Sequence, residues 1–197
     1  MYKKKTIIEH SIVPFLKVKK IKRIYVAINK NDEYFNKLPI SKNKKIRVVF
    51  GGNNRSDSVV SALNCIKENC WILIHDAVRP CISLKDIYSI INKVTKSTNC
   101  VGGILAYPMD STIKKLKNST VNFTIDKKNI WNAMTPQIFD KNILKKCLYG
   151  VYKKKISISD ESQALEIFGY HPIVVLGNRN NIKVTYIEDI KFLDYFL

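Results

Sequence analysis

The apolar residues of the chain follow two patterns, one spaced as in amphipathic helices and the other gathered in short uninterrupted runs. Apolar residues that recur every three or four positions predict helices over residues 6–20, 59–67, 83–97, 139–147, 159–167 and 187–197. Short apolar runs predict strands over residues 24–28, 46–50, 70–74, 100–107 and 172–176. Because strands and helices alternate, we expect an α/β fold with right-handed crossovers and a mostly parallel sheet.

The run over residues 70–74 ends abruptly in the polar pair His75-Asp76. Its lack of alternation is typical of a strand that is covered on both faces. Ligands of open α/β sheets bind outside the carboxyl ends of the strands, so Asp76 is placed to meet a metal-bound phosphate or a sugar hydroxyl. Arg79 adds a positive charge beside it. A role for Asp76 in capping the following turn fits the same position equally well.

A glycine pair follows the predicted strand over residues 46–50 directly. Gly51 and Gly52 lead into a helix for which Ser56 or Asp57 is the expected cap, with Ser58 in the first turn. Free backbone N–H groups at such a turn favour anions. Ordinary turn chemistry is the commoner explanation of a glycine pair before a capped helix.

Residues 112–137 interrupt the alternation of predicted strands and helices. Two predicted strands, 112–116 and 121–125, are joined by a short hairpin connection and lead to Trp131 and Met134. Apolar residues on a hairpin that projects from the sheet need cover, so we expect this arm to contact a partner subunit.

Composition narrows the class of protein. A chain of 197 residues is expected to form one domain, and its net charge of +18 comes from lysines scattered along the sequence, which favours a solvated surface over a nucleic-acid face. Five cysteines without a Cys-x-x-Cys pair indicate a reducing cytoplasm, and the three histidines lack zinc-site spacing. No apolar run is long enough for a membrane span, and no signal-peptide core is present.

Five separated motifs agree on a family. They are Gly51-Gly52-x-x-Arg55-x-Asp57-Ser58, His75-Asp76-Ala77-x-Arg79-Pro80, Thr135-Pro136-Gln137, Ser159-Asp160-Glu161 and Asn181-Ile182-Lys183-Val184-Thr185. In order and spacing they resemble the 2-C-methyl-D-erythritol 4-phosphate cytidylyltransferase family. The resemblance implies a Rossmann-like nucleotidyltransferase sheet, a homodimer joined by the arm over residues 112–137, and Mg²⁺-dependent transfer of CMP from CTP to methylerythritol phosphate.

The resemblance also implies roles for individual residues. Contacts to the cytidine are expected from Gly51, Gly52, Asn53 and Ser58. Contacts to substrate hydroxyls near the magnesium-bound triphosphate are expected from Asp76, Ala77 and Arg79, with Asp76 as the metal ligand. The methylerythritol phosphate is expected to meet Thr124, Lys141 and Lys183, and the catalytic set is Asp76, Lys141 and Lys183. Thr124 and Lys141 lie in or just beyond the arm, a position that allows them to serve the neighbouring subunit's site.

Three departures from the family pattern bear on activity. Asn53 stands where the family has an acid, and Lys141 is matched to a family arginine, so a bidentate phosphate contact becomes a point charge. The family's first strand, its Ala-Ala-Gly-x-Gly-x-Arg loop and its Pro-Lys-Gln-Tyr segment are not found ahead of Thr6. We therefore expect the chain alone not to turn over, and we expect an unpaired gap and an apolar cleft in the sheet.

Two other functions are alternatives to cytidylyl transfer to methylerythritol phosphate. A ribitol-phosphate cytidylyltransferase would share most of the scaffold and differ in its product. A non-catalytic remnant or a nucleic-acid-binding protein would fit the unmatched loop and the net charge of +18.

Overall fold

The computed structural model describes the whole chain, Met1–Leu197. Its helices are α1 (Ile7–Leu16), α2 (Arg55–Asn64), α3 (Leu84–Lys96), α4 (Lys141–Lys153), α5 (Glu161–Ile167) and α6 (Leu193–Phe196). Its strands are β1 (Ile24–Ile28), β2 (Ile46–Phe50), β3 (Trp71–Ile74), β4 (Gly102–Pro108), β5 (Ile113–Lys117), β6 (Thr120–Ile125), β7 (Trp131–Asp140) and β8 (Ile173–Leu176). Short 3₁₀ helices occupy Phe35–Lys37, Pro39–Lys42 and Ile187–Phe192, so the predicted C-terminal helix is mostly a 3₁₀ segment.

The strands form three sheets. Four strands pair in the order β3-β7-β4-β8, β1 and β2 pair in parallel, and β5 and β6 form a separate antiparallel hairpin. The α/β class is confirmed, but the four-stranded sheet is mixed, because β7 runs antiparallel to both β3 and β4. The β5-β6 hairpin leaves the sheet after β4 and returns at the start of β7, as the sequence predicts for the first part of the arm. Residues 131–137 are not part of this projection but lie in β7 of the four-stranded sheet, where Met134 is buried in the core, so its expected place on the arm is wrong.

Strand β7 is the main correction to the predicted elements. A helix was expected from Phe139, yet the chain stays extended to Asp140, whose side chain caps α4 by accepting hydrogen bonds from the amides of Asn142 and Ile143. Phe139 is fully buried between β3 and β4. A short apolar run has the same appearance in a buried strand and in a buried helix turn, so only the pairing on both edges decides between them.

Helices cover both faces of the four-stranded sheet. On one face, Ile87, Ile90 and Val94 of α3 pack with Phe15 of α1. On the other face, α2, α4 and α5 bury a second set of side chains, which includes Leu63, Leu144, Leu148 and Leu165. Burial of one such side chain contributes roughly 1.5–3 kcal/mol to the free energy of unfolding, so these two layers fix the sheet from which the site is built.

A gap separates β1 from β3. Strand β1 pairs only with β2, and β3 pairs only with β7, so each has one edge without a backbone partner. A cavity of about 960 Å³ lies between these edges, and most of its lining residues are hydrophobic. The unpaired gap and apolar cleft expected from the sequence are thus present. The centre of β3 is covered on both faces as expected, since Leu73 packs against one helical layer and Ile72 and Ile74 against the other. Trp71, the first residue of the strand, is 38% exposed.

The five cysteines are all free thiols. None of the helices combines the length and the apolar character that a bilayer crossing requires.

Candidate active site

The glycine turn lies between β2 and α2 and is shaped by close approach to the helix. A Cβ atom on Gly51 would lie 2.6 Å from the Ser58 hydroxyl, and one on Gly52 would lie 2.2 Å from the Asp57 Cβ, so neither position has room for a side chain. The N-cap of α2 is Asn54, whose side chain accepts a hydrogen bond from the Asp57 amide. The sequence-based expectation of Ser56 or Asp57 as the cap is therefore wrong.

The backbone amides of the turn are largely engaged within the chain. The Gly51 amide donates to the Ile28 carbonyl at 2.9 Å, and the Gly52 amide donates to the Ser58 hydroxyl at 3.2 Å. The Asn54 amide donates to Asp57. This corrects the expectation of an anion cradle at this turn.

Arg55, the first residue of α2, joins the glycine turn to two acids. Its Nε donates to Asp76 at 3.1 Å, and its Nη1 donates to both carboxylate oxygens of Glu161 at 2.7 Å. Glu161 is fully buried at the start of α5. Both residues lie within motifs recognised in the sequence, but nothing in the sequence shows that positions 106 residues apart form a pair.

Asp76 lies immediately after β3 and is held by a second arginine as well. Arg79 Nε donates to its other carboxylate oxygen at 3.2 Å, and Arg79 Nη1 donates to the Asn181 carbonyl at 2.8 Å. Burial alone would raise the pKa of Asp76, but Arg55, Arg79 and Lys183 outweigh it and hold that pKa below its ordinary value. Asp76 is therefore ionised at neutral pH.

The pKa of Glu161 is shifted in the opposite direction from that of Asp76. Burial raises the pKa of its carboxyl group, and the attraction of Arg55 offsets only part of that rise. The neighbouring strand fixes its place: Gln137 of β7 donates to Asp160 at 2.8 Å and accepts from the Ser162 amide at 3.3 Å.

A chain of hydrogen bonds supports the loop that carries Asp76. The Asp76 amide donates to the Thr135 hydroxyl at 3.0 Å, and that hydroxyl lies 3.1 Å from His75 Nδ1. The other ring nitrogen, Nε2, lies 3.0 Å from the Arg79 carbonyl, so the network assigns the proton to Nε2. The ring also packs against Phe15 with centroids 4.8 Å apart. Desolvation lowers the pKa of His75 to about 4, which leaves it a neutral structural residue.

Lys183 is brought to this cluster, and Ala77 lies in the same loop. The Val184 amide donates to the Val78 carbonyl at 2.8 Å, which holds the segment around Lys183 beside the Asp76 loop. The Ala77 carbonyl accepts from Ser11 at 2.7 Å, so its backbone positions α1.

A second, smaller cavity of about 270 Å³ lies beside Arg79 and Lys183. Arg179, which the sequence analysis missed, adds a third cation to its wall and stacks on the Tyr107 ring at 5.3 Å. The side-chain oxygen of Asn181 is buried there without a hydrogen-bond partner. Arg79 pairs with Asp76 and Arg179 pairs with Asp110, so Lys183 is the cation of this wall without an ion-pair partner. Its ammonium suits a phosphate group.

Lys141 does not join the cluster of its own chain, and its role in a substrate site stays a prediction. It is buried at the start of α4, and its ammonium donates to the carbonyls of Ile66, Lys67 and Glu68 at 3.3, 3.1 and 2.6 Å. Its amide bonds to Cys70, which places it at the amino end of β3, opposite Asp76. With its donors engaged by the backbone, the ammonium closes a loop.

Two further residues that the sequence predicts for the site, Thr124 and Asn53, lie outside the Arg55 cluster. Thr124 lies on β6 of the arm, where its hydroxyl accepts from Lys114 at 2.7 Å. Asn53 is exposed at the mouth of the glycine turn.

Comparison with known proteins identifies what the chain is similar to. A family model described as 2-C-methyl-D-erythritol 4-phosphate cytidylyltransferase (IspD) matches residues 2–197. The enzyme of that name from Buchnera aphidicola subsp. Acyrthosiphon pisum is 45% identical over 98% of this chain and 81% of its own length. The one from Wigglesworthia glossinidia brevipalpis is 45% identical over 99% and 84%. A crystal structure of the Francisella tularensis enzyme superposes with a TM-score of 0.87 at 35% identity, covering 99% of this chain and 89% of that one.

The buried imidazole predicts a pH dependence of stability. Below its ordinary pKa of 6.5 and down to about 4, an unfolded His75 binds a proton that the folded residue does not. The free energy of unfolding should therefore fall as the pH is lowered through this window, by up to about 1.4 kcal/mol per pH unit. Urea unfolding at about pH 7 and about pH 5 measures the slope.

The slope should be shallower in His75→Gln, which keeps a hydrogen-bonding side chain and removes the titration. His171→Gln, at an exposed position, should keep the wild-type slope. Equal slopes in His75→Gln and the wild type would show that this imidazole does not control acid stability.

Proposed function

Because the chain belongs to the 2-C-methyl-D-erythritol 4-phosphate cytidylyltransferase family, we propose that the glycine turn and the Arg55 cluster hold CTP beside methylerythritol phosphate. The family activity is a nucleotidyl transfer in isoprenoid biosynthesis, in which CMP passes from CTP to the sugar-alcohol phosphate. The matched relatives are named for methylerythritol phosphate, which favours that substrate over ribitol phosphate.

One observation carries the proposed division of roles. The turn after β2, the acid after β3 and the loop around Lys183 lie at one edge of the fold, linked by Arg55 and Arg79. Ligands of α/β sheets bind at this edge. We assign the cytidine to Gly51, Gly52, Asn53 and Ser58, where the glycines pack closely against α2 and the exposed side-chain amide of Asn53 can hydrogen-bond a base.

The acceptor substrate is assigned to the smaller cavity. An oxygen of its phosphate attacks the α-phosphorus of CTP, and the bond to the departing pyrophosphate breaks as the new P–O bond forms. Since two anions must approach each other, the protein contributes mainly positioning and positive charge. Lys183 supplies that charge beside a space of about 270 Å³, and Arg79 and Arg179, which pair with Asp76 and Asp110, line the same space.

Mg²⁺ is proposed as the cofactor, with Asp76 as its protein ligand. Each Asp76 oxygen accepts one arginine hydrogen bond, which leaves a lone pair for a cation. The chain has no group of three or more His, Cys, Asp or Glu side chains that could hold a metal ion, so phosphate oxygens must complete the coordination, as is usual for Mg²⁺. Bound there, the cation would neutralise charge on the triphosphate.

We propose that the β5-β6 hairpin of the predicted arm joins two copies of the chain. Leu116, Val121 and Phe123 are 56, 60 and 53% exposed on a hairpin whose two strands pair only with each other. An isolated hairpin is marginally stable in water, so these side chains need cover from a partner. A two-fold dimer would bring Thr124 of each arm toward the neighbouring subunit.

The catalytic proposal predicts that Asp76→Asn lowers kcat for pyrophosphate release about a hundredfold, because the variant loses the charge that meets the cation. CTP is assayed with Mg²⁺ and either methylerythritol phosphate or ribitol phosphate. The assay uses the 197-residue chain and the same chain joined to the amino-terminal segment of a matched relative. Asp194→Asn, at an exposed position, is the control. Unchanged transfer in Asp76→Asn, or a preference for ribitol phosphate, would contradict the assignment.

The dimer proposal predicts that sedimentation finds two copies of the chain at micromolar concentration. Replacing Val121 and Phe123 together by lysine should give monomers, because four charges would then face each other across a two-fold axis. Tyr152→Lys, on an exposed position of α4 outside the arm, should remain dimeric. A monomeric wild-type chain would contradict the role of the arm.

A further inference from the structure

The three cations that line the smaller cavity differ in what already holds them. Arg79 pairs with Asp76, and these two side chains are only 13% and 12% exposed. Lys183 has no ion-pair partner. Arg179 pairs with Asp110, and here the side chains are 53% and 59% exposed. Arg179 is therefore the cation of this wall whose partner faces water.

The contact between Arg179 and Asp110 engages only a small part of the guanidinium. One nitrogen, Nη1, donates to one carboxylate oxygen, and the other two guanidinium nitrogens donate to no protein group. A guanidinium presents five N–H donors in a planar fork that matches two oxygens of a phosphate group. Most of the hydrogen-bonding capacity of Arg179 is thus available to a ligand of the cavity.

The position of Arg179 does not depend on Asp110. Its guanidinium stacks on the ring of Tyr107, which also lines the cavity, at 5.3 Å. Its backbone belongs to a turn in which the Asn178 side chain accepts from the Asn180 amide at 2.9 Å. The stacking and the turn would keep the side chain beside the cavity after the loss of the carboxylate.

Asp110 can lose this contact at little cost. Its carboxylate lies at the surface, where water screens an ion pair and takes the place of a lost partner. The ammonium of Lys127 donates to the Asp110 carbonyl and stays near the acid. The hydrogen bond from Arg179 holds the pKa of Asp110 below its ordinary value, so the acid is ionised at neutral pH and competes with other anions for this arginine.

We propose that Arg179 exchanges Asp110 for the phosphate of the acceptor substrate, and that Asp110 acts as a built-in competitor of that phosphate. The inference rests on the proposed function, because the acceptor is the ligand assigned to this cavity of about 270 Å³. A phosphate monoester carries about 1.5–2 negative charges at neutral pH and can meet the fork with two oxygens. Asp110 offers one charge and one oxygen, so the phosphate is the stronger partner.

Equilibrium binding to the 197-residue chain tests the exchange, since it requires no turnover. Isothermal titration calorimetry measures Kd for methylerythritol phosphate and for inorganic phosphate. We expect Arg179→Met to weaken the binding of both ligands about tenfold, because it removes a charge-assisted contact to phosphate and keeps a side chain of similar length. We expect Asp110→Asn to tighten the binding of both about threefold, because the competing charge is gone.

The double variant separates exchange from a general effect of charge. Without Arg179 the acid has no arginine to hold, so Asp110→Asn in the Arg179→Met background should change each Kd by less than about twofold. Arg47→Met, at an exposed position of β2, is the matched control and should bind both ligands as the wild type does. Urea unfolding of each variant checks that the fold is retained.

Three results would overturn the inference. They are unchanged phosphate binding in Arg179→Met, a tightening by Asp110→Asn that persists without Arg179, and the failure of the wild-type chain to bind either ligand at millimolar concentration. The second result would assign the effect to long-range repulsion between the acid and the ligand.

A different result would contradict only the proposed function. If methylerythritol phosphate binds no more tightly than inorganic phosphate, and the binding of both depends on Arg179, the cavity is not the acceptor site. The exchange of Asp110 for phosphate would then be confirmed for a site that binds phosphate groups in general.

Discussion

The contact between the Arg55 guanidinium and the Glu161 carboxylate is the constraint on which the site depends. Glu161 has no exposed surface, so its charge is tolerable only with a partner that donates to both oxygens, as Arg55 does at 2.7 Å. The same arginine reaches Asp76. One side chain thus fixes the start of α2, the end of β3 and the start of α5 relative to each other.

The gap in the sheet gives this contact a further importance. No backbone ladder connects the β1-β2 pair with the four-stranded sheet, so other contacts must hold the two together. Arg55 is one, the hydrogen bond from Ser11 to the Ala77 carbonyl is another, and the exposed pair Arg23–Glu68 is a weaker third. The glycine turn belongs to one unit and Asp76 to the other, so the geometry of the site is set by side chains more than by a continuous sheet.

The sequence predicted the features that depend on local order along the chain. The strand that delivers Asp76, the glycine turn and the projecting arm all follow from apolar periodicity and turn residues. Strand β7 was missed because its buried end carries the same apolar pattern as a helix turn, and only pairing with β3 and β4 distinguishes them. Lys141 lies away from the cluster of its own chain, and a motif position gives no information on where its ammonium points. Arg55 and Glu161 were recognised singly, and only the fold brings them together.

A double-mutant cycle on Arg55 and Glu161 tests this account most directly. Arg55→Met, Glu161→Gln and the double variant are compared with the wild type by urea unfolding, and the exposed pair Arg179–Asp110 serves as the control cycle. We predict that Arg55→Met alone costs roughly 3 kcal/mol, because it leaves a buried carboxylate unpaired, and that the double variant recovers more than about 1 kcal/mol of the summed losses. The control pair should couple by less than about 0.5 kcal/mol. Additive losses at Arg55 and Glu161 would contradict the claim that this contact holds the site together.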